Sequence, residues 1–162
     1  PLAGGEAQRL TSHQGYEMFA RISPDGKYLA FVRQQYGQWS IWHKDADLCL
    51  IDLQNGNLIS MDDANSNDSE SYHSWSSSGK WIVLSSRRDD GNFTRPFFAH
   101  IDAEGHATKP FELPTRNPLF HKEFLRSYNV PEFLKAPVSE TPQEIGRVVR
   151  EEAQQAAYES VP

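Results

Sequence analysis

Three observations predict an all-β chain with an α-helical extension at its C-terminal end. A turn and strand, Ser23-Pro24-Asp25-Gly26-Lys27 followed by Tyr28-Leu29-Ala30-Phe31-Val32, returns 53 residues later as Ser76-Ser77-Ser78-Gly79-Lys80 followed by Trp81-Ile82-Val83-Leu84-Ser85. Two further turn signals, Gln54-Asn55-Gly56 and Ala103-Glu104-Gly105, lie 49 residues apart, and each follows an apolar run. After Pro114 the pattern shifts to aromatics at four-residue spacing and then to a helix-capping signature.

Taken in order, residues 6–10 read as a short strand entered through the Gly4-Gly5 turn signal. Residues 17–22 form the strand before the first turn, where Pro fixes φ and Gly supplies the positive φ that reverses the chain. Residues 28–32 are apolar throughout, which suits a strand covered on both faces. A polar loop with Gly37 and Trp39 leads to a strand over 48–53, a turn at Asn55-Gly56, and a fourth strand over 58–61. The order then restarts: 70–75, 81–85 and 97–102 answer to 17–22, 28–32 and 48–52, with Asp102 aligned on Asp52 at an offset of 50.

Four strands repeating at roughly 40–50 residues are the mark of β-propeller blades. The reading is a partial β-propeller: residues 1–13 the last strand of a truncated unit, 14–62 and 63–113 two antiparallel blades, and 114–162 a helical extension. Asn117-Pro118 with Phe120, Phe124 and Tyr128 predicts a helix to about Ser127. Thr141-Pro142-Gln143-Glu144, a capping box, predicts a second over 142–159 with Ile145, Val148, Val149, Ala153 and Ala156 on one face. One four-stranded sheet cannot bury both faces, so the open blades are expected to meet the rest of a parent propeller or a second copy at their edges. The chain begins without Met inside a repeat, as a processed or excised piece would.

Composition narrows the function. A net charge of −6, from 16 basic and 22 acidic residues, offers no basic footprint for nucleic acid. No run approaches the roughly 18 apolar residues of a membrane span. The single cysteine, Cys49, sits in an apolar run, reads as a small buried hydrophobe, and excludes a Cys-based zinc cluster.

The motif Ser23-Pro24-Asp25-Gly26-Lys27 with Leu29-Ala30-Phe31, preceded by Gln8-Arg9-Leu10-Thr11, resembles the WD40-like Pro-Asp repeat of TolB-like propellers. Trp75-Ser76 and Gly79-Lys80-Trp81-Ile82-Val83 supply a second copy that has Ser77-Ser78 in place of Pro-Asp. The resemblance covers residues 3–113. It implies a non-catalytic segment of a larger bacterial envelope protein, periplasmic or otherwise extracytoplasmic, that binds other proteins. It equally admits an accessory propeller beside a hydrolase or peptidase domain elsewhere in the parent protein. It also implies that the strand before each turn is innermost, placing Glu17 and Glu70 at the channel end of their blades.

No catalytic residues are assigned, since the chain lacks the Gly-x-Ser-x-Gly elbow of that hydrolase class. Glu17, Glu70, Tyr72 and His73 are read as a channel-mouth cluster able to bind a ligand or peptide terminus, or else to steady the inner strands. The loop carrying Asp63, Asn65, Asn67 and Asp68 offers the hard oxygen ligands calcium prefers. It departs from an EF-hand in having Asp68 for Gly and Ser74 for Glu, so calcium is the one cofactor considered, against a solvated loop. Arg87-Arg88-Asp89-Asp90 reads as a self-paired solvated turn, and Trp75 and Trp81 as packing between blades.

Overall fold

A computed structural model describes residues 5–152 of the chain. Its first sheet is β1 (Tyr16–Ile22), β2 (Tyr28–Gln34), β3 (Asp47–Asp52) and β4 (Leu58–Ile59); its second is β5 (Glu70–Trp75), β6 (Trp81–Ser86), β7 (Arg95–His100) and β8 (Phe111–Glu112). Each is an antiparallel meander in sequence order. The fold class is the expected one: mostly β, two four-stranded sheets and a small helical part, consistent with two blades of a propeller.

The repeat is visible in the ladders. Ile22 faces Leu29 and Trp75 faces Ile82, so β1–β2 and β5–β6 superpose at the 53-residue offset. The third strands do not keep the predicted 50: Tyr28 faces Asp52 but Trp81 faces His100, an offset of 48. A two-residue slip keeps every side chain on its own face, so the sheet tolerates it.

Both turns close identically although their sequences differ. Ser23 N–H donates to the Tyr28 carbonyl at 2.8 Å, and Ser76 N–H to the Trp81 carbonyl at 2.9 Å. The Ser23 hydroxyl donates to Asp25 at 2.6 Å, and Asp25 accepts from Lys27 N–H at 3.1 Å. In the second copy Ser78 stands in for Asp25, 3.0 Å from the Ser76 hydroxyl. Gly26 and Gly79 supply φ of 74° and 69°, which is why the turn survives without Pro-Asp.

The main core lies between the sheets: Tyr28, Ala30, Leu48 and Leu50 pack against Trp75, Ile82, Leu84 and Phe97. Each leucine, isoleucine or phenylalanine side chain among them contributes about 1.5–3 kcal/mol by leaving water. The residue equivalent to Ala30 is Val83, which lies on the far face of β6. The sheets therefore stack front to back, as successive blades do. Trp75 sits inside this stack and donates its indole N–H to the Arg21 carbonyl on β1, 3.1 Å away. Trp81 does not: it lies on the outer face of the second sheet against His100 and Phe111.

Three expected elements differ. No strand forms over 6–10, because a strand exists only as part of a ladder and no described residues supply its neighbours. The predicted helix to Ser127 is the single turn α1 (Phe120–Glu123). Beyond it the buried Arg95 guanidinium draws in the carbonyls of Arg126 (2.7 Å) and Phe124 (3.4 Å), and Tyr128 N–H joins the Thr94 carbonyl. This strap crosses the outer face of the second sheet, where the Ser85 hydroxyl donates to the Asn129 carbonyl at 2.6 Å and Phe133 meets Phe98. The helix predicted over 142–159 is α2 (Pro142–Val148), opened by the expected capping box and without a buried residue. Ala153 and Ala156 lie outside the described residues.

Candidate functional site

The hairpin turns gather at one end of the sheets, and the longer β2–β3, β4–β5 and β6–β7 connections at the other. This loop end receives the starts of β1 and β5, and so holds Glu17 and Glu70, which occupy equivalent ladder positions opposite Arg33 and Ser86.

The four residues read as one cluster are not one. Glu17 is held by Arg33, whose Nε and Nη2 donate at 3.0 and 2.9 Å, and by the Thr11 hydroxyl. Glu70 is fully buried and accepts from Arg88 Nη2 (2.9 Å), the Ser86 and Ser66 hydroxyls (2.8 and 2.7 Å) and Ser66 N–H (2.9 Å). Tyr72 turns to Phe19, its own equivalent in the first blade, with ring centroids 4.3 Å apart. Both lie where their strand slips register, and Phe19 there adopts φ 59°. His73 is 2% exposed, between the sheets, with neither ring nitrogen hydrogen-bonded. The register slip between Glu70 and His73 explains the dispersal: Tyr72 lies within it and reaches Phe19, while His73 resumes the ladder opposite Leu84.

Burial pushes the His73 imidazole down to about 4 from 6.5. The unfolded chain therefore takes up this proton first, and stability intact above pH 6.5 is lost as pH falls towards 4. Asp47, raised from 3.8 to about 6 by burial and then by Glu70, Asp45 and Asp62, runs the other way: its contribution is present below pH 3.8 and lost as pH rises through 6. Between pH 6 and 4 the two slopes oppose each other. Urea unfolding of Asp47→Asn should fall more steeply with acid than the wild type, by up to about 1.4 kcal/mol per pH unit, less what solvent screens. Parallel profiles would contradict this.

In the acidic loop, Asn65 acts as a strand neighbour for Leu48: its Oδ1 accepts the Leu48 N–H at 2.9 Å and its Nδ2 donates to the Leu48 carbonyl at 3.0 Å. Asp68 accepts from Ser69 N–H at 2.8 Å and lies 3.9 and 4.0 Å from Lys44 and Arg87. Asp63 and Asn67 sit in the same loop, Asp63 exposed. Among the described residues no three His, Cys, Asp or Glu are grouped to hold a metal ion. Millimolar calcium should leave the melting temperature unchanged, because binding would first have to break the Asn65–Leu48 pair; a calcium-dependent rise would overturn this.

The feature that sequence reading missed is the β2–β3 loop. A short 3-10 helix, Ser40–Trp42, is pinned from behind by the second blade: the Ser40 hydroxyl meets Ser71 at 2.6 Å, Ser69 donates to the Ser40 carbonyl at 2.8 Å, and Arg87 to the Ile41 carbonyl at 3.2 Å. Trp39 adopts φ 66°, a left-handed conformation that costs a bulky residue energy. The result is that Trp39 and Trp42 stand 67% and 70% exposed. Arg87 lies 5.3 Å over the Trp42 ring, and the two indoles border a cavity of about 220 Å³ shared with Tyr72, Asn92 and Asn129. The Arg87-Arg88 pair is accordingly no self-paired turn: Arg88 enters the Glu70 site, while Arg87 braces the tryptophan loop. Two Trp in a loop that otherwise reads as polar were the available signal.

A scan against protein-family models finds no match, and no curated protein matches either. Among solved structures the chain is similar to the crystal structure of TolB from Acinetobacter baumannii, at 23% identity and a TM-score of 0.45. The likeness covers 65% of this chain and 24% of that one, so the chain spans about a quarter of that structure's length. The fold described above rests on the chain's own ladders. Among the described residues no helix is long and apolar enough to cross a membrane.

Proposed function

We propose that this chain is a non-catalytic, protein-binding segment of a larger β-propeller protein, and that its loop end is the binding surface. One observation carries the reading: the β2–β3 loop is fixed by hydrogen bonds to Ser69, Ser71 and Arg87, and with the backbone so held it presents Trp39 and Trp42 to water. An exposed aromatic pair that is rigid before binding loses little entropy on binding, and Trp and Arg are the side chains that dominate protein interfaces. Glu17 and Glu70, at the same end of the sheets, are satisfied internally by Arg33 and Arg88. The Pro-Asp repeat resemblance supports an extracytoplasmic envelope setting for the parent protein.

The test is a cross-linking and pull-down comparison of the wild type with a Trp39→Ala/Trp42→Ala variant of equal melting temperature. A partner captured by the first and lost by the second supports the reading. A partner retained by both would move the interface elsewhere.

A further inference from the structure

A second cleft lies away from the tryptophan loop, on the side of the first sheet where β4 stops short. Its volume is about 560 Å³, and its lining includes His13, Gln34, Asp45, Asp47, Ile59 and Asp62. The cleft exists because β4 spans only Leu58–Ile59 and pairs with Ile51 and Leu50, leaving the β3 residues before Leu50 without a strand on the edge away from β2.

Three carboxylates collect there beside one arginine, Arg33, which also lines the cleft and is committed to Glu17. Asp47 stands directly across the ladder from Arg33, its natural counterion. That guanidinium is turned to Glu17, with two of its nitrogens within 3.0 Å of one carboxylate oxygen. Asp45 accepts from Gln35 N–H at 2.8 Å and lies 3.8 Å from His43, but no arginine or lysine pairs with it among the described ion pairs. Asp62 adds a third carboxylate. Glu70, whose charge acts on Asp47 more strongly than that of Asp45 or Asp62, is fully buried and already paired with Arg88. An independent observation comes from Gln34, 1% exposed and part of the cleft lining. Its amide nitrogen, Nε2, donates to the Tyr36 and Gly37 carbonyls at 3.0 and 2.9 Å, which leaves Oε1 as a buried acceptor with no partner among the described residues.

We propose that this cleft is a second binding site, beyond the tryptophan surface, that takes a cationic side chain, an arginine or lysine, from a protein partner. A guanidinium or ammonium group brings only donors, which is what a site of unpaired acceptors lacks. Burying the cation beside Asp47 relieves repulsion among the three carboxylates, and the apolar wall at Ile59 accommodates the aliphatic stem. The partial burial of Asp47 strengthens the pairing relative to a surface ion pair. Since Asp47 titrates near pH 6, a cation should bind less well as the site is acidified.

The experiment is an NMR titration of the whole chain with Nα-acetyl-arginine methylamide, and with the neutral isostere Nα-acetyl-citrulline methylamide. Saturable shifts of the Leu48, Cys49 and Ile59 amides by the arginine probe, absent with citrulline, are expected. Asp47→Asn should weaken binding about tenfold, and so should lowering the pH from 7.5 to 5, as Asp47 is protonated over one unit below its midpoint. Equal shifts from both probes, shifts confined to other residues, or an unchanged affinity in Asp47→Asn would overturn the proposal. The probe comparison uses wild-type protein, so it stands even if the variant folds poorly. Trp39→Ala/Trp42→Ala should bind the probe like the wild type, which separates this site from the loop end.

Discussion

Replacing Arg88 by alanine should destabilise the chain by roughly 3–5 kcal/mol, the largest loss expected of any single charged residue here. Glu70 is fully buried, and its carboxylate accepts from Arg88 at 2.9 Å together with two serine hydroxyls and a backbone N–H. Burial pushes the Arg88 guanidinium down, opposed by the Glu70 charge, which is the balance expected of a pair withdrawn from water. Removing the arginine leaves a buried carboxylate without a counterion, and against a typical total of about 5–15 kcal/mol that is enough to unfold much of the population. The first blade's equivalent glutamate, Glu17, which pairs with the arginine directly across its ladder, is the internal control. Glu17 and Arg33 remain 23% and 21% exposed, so Arg33→Ala should cost only about 1 kcal/mol. Urea unfolding followed by circular dichroism measures both. Equal losses would mean that the two blades' carboxylates are equally solvated, contrary to the burial. Replacing Glu70 and Arg88 together by Gln and Met should recover most of the loss, since no charge is then left unpaired.

What the sequence disclosed and what it concealed divide along the range of the interactions. The turn at Ser23 to Tyr28 is closed by bonds within six residues, so its chemistry is readable, and Ser78 can replace Asp25 without altering it. The capping box at Thr141 is local in the same way. The inner strands, their 53-residue equivalence and Trp75 as an inter-blade residue follow from the repeat. By contrast, α1 stops after one turn where Phe124 goes extended, and the chain beyond it is tied to Arg95 and Thr94, about 30 residues earlier, contacts that no local pattern announces. The same holds at the loop end. Arg87 and Arg88 lie beside two aspartates, and nothing local reveals that one reaches Ile41 and the other Glu70. Glu17 and Glu70 were correctly placed at equivalent positions, yet each had a nearer arginine, so equivalence in the repeat did not become a shared site. The Trp39–Trp42 surface escaped because exposure is a property of the folded loop: in sequence, a tryptophan is read as core.

That surface yields the second large effect. Trp39→Ala and Trp42→Ala should each weaken partner binding by about 2 kcal/mol or more, roughly thirtyfold, while shifting stability by no more than about 0.5 kcal/mol. The two quantities separate because these rings stand 67% and 70% exposed and bury little area in the free chain. Trp39→Gly sharpens the test for one residue: glycine accepts φ 66° without strain, so the variant should be at least as stable as Trp39→Ala and bind no better. Trp75→Ala is the opposite control. Its indole fills the inter-blade core and bonds the Arg21 carbonyl, so its loss should cost about 3–5 kcal/mol of stability. Surface-plasmon titration against the captured partner, beside thermal melts of each variant, distinguishes the cases. If binding falls only in step with melting temperature, the tryptophans act through the fold, and the loop end is not the interface. If Trp39 and Trp42 lose binding at constant stability while Arg87→Lys, which keeps the charge but not the planar group over Trp42, loses part of it, the brace and the rings act as one surface.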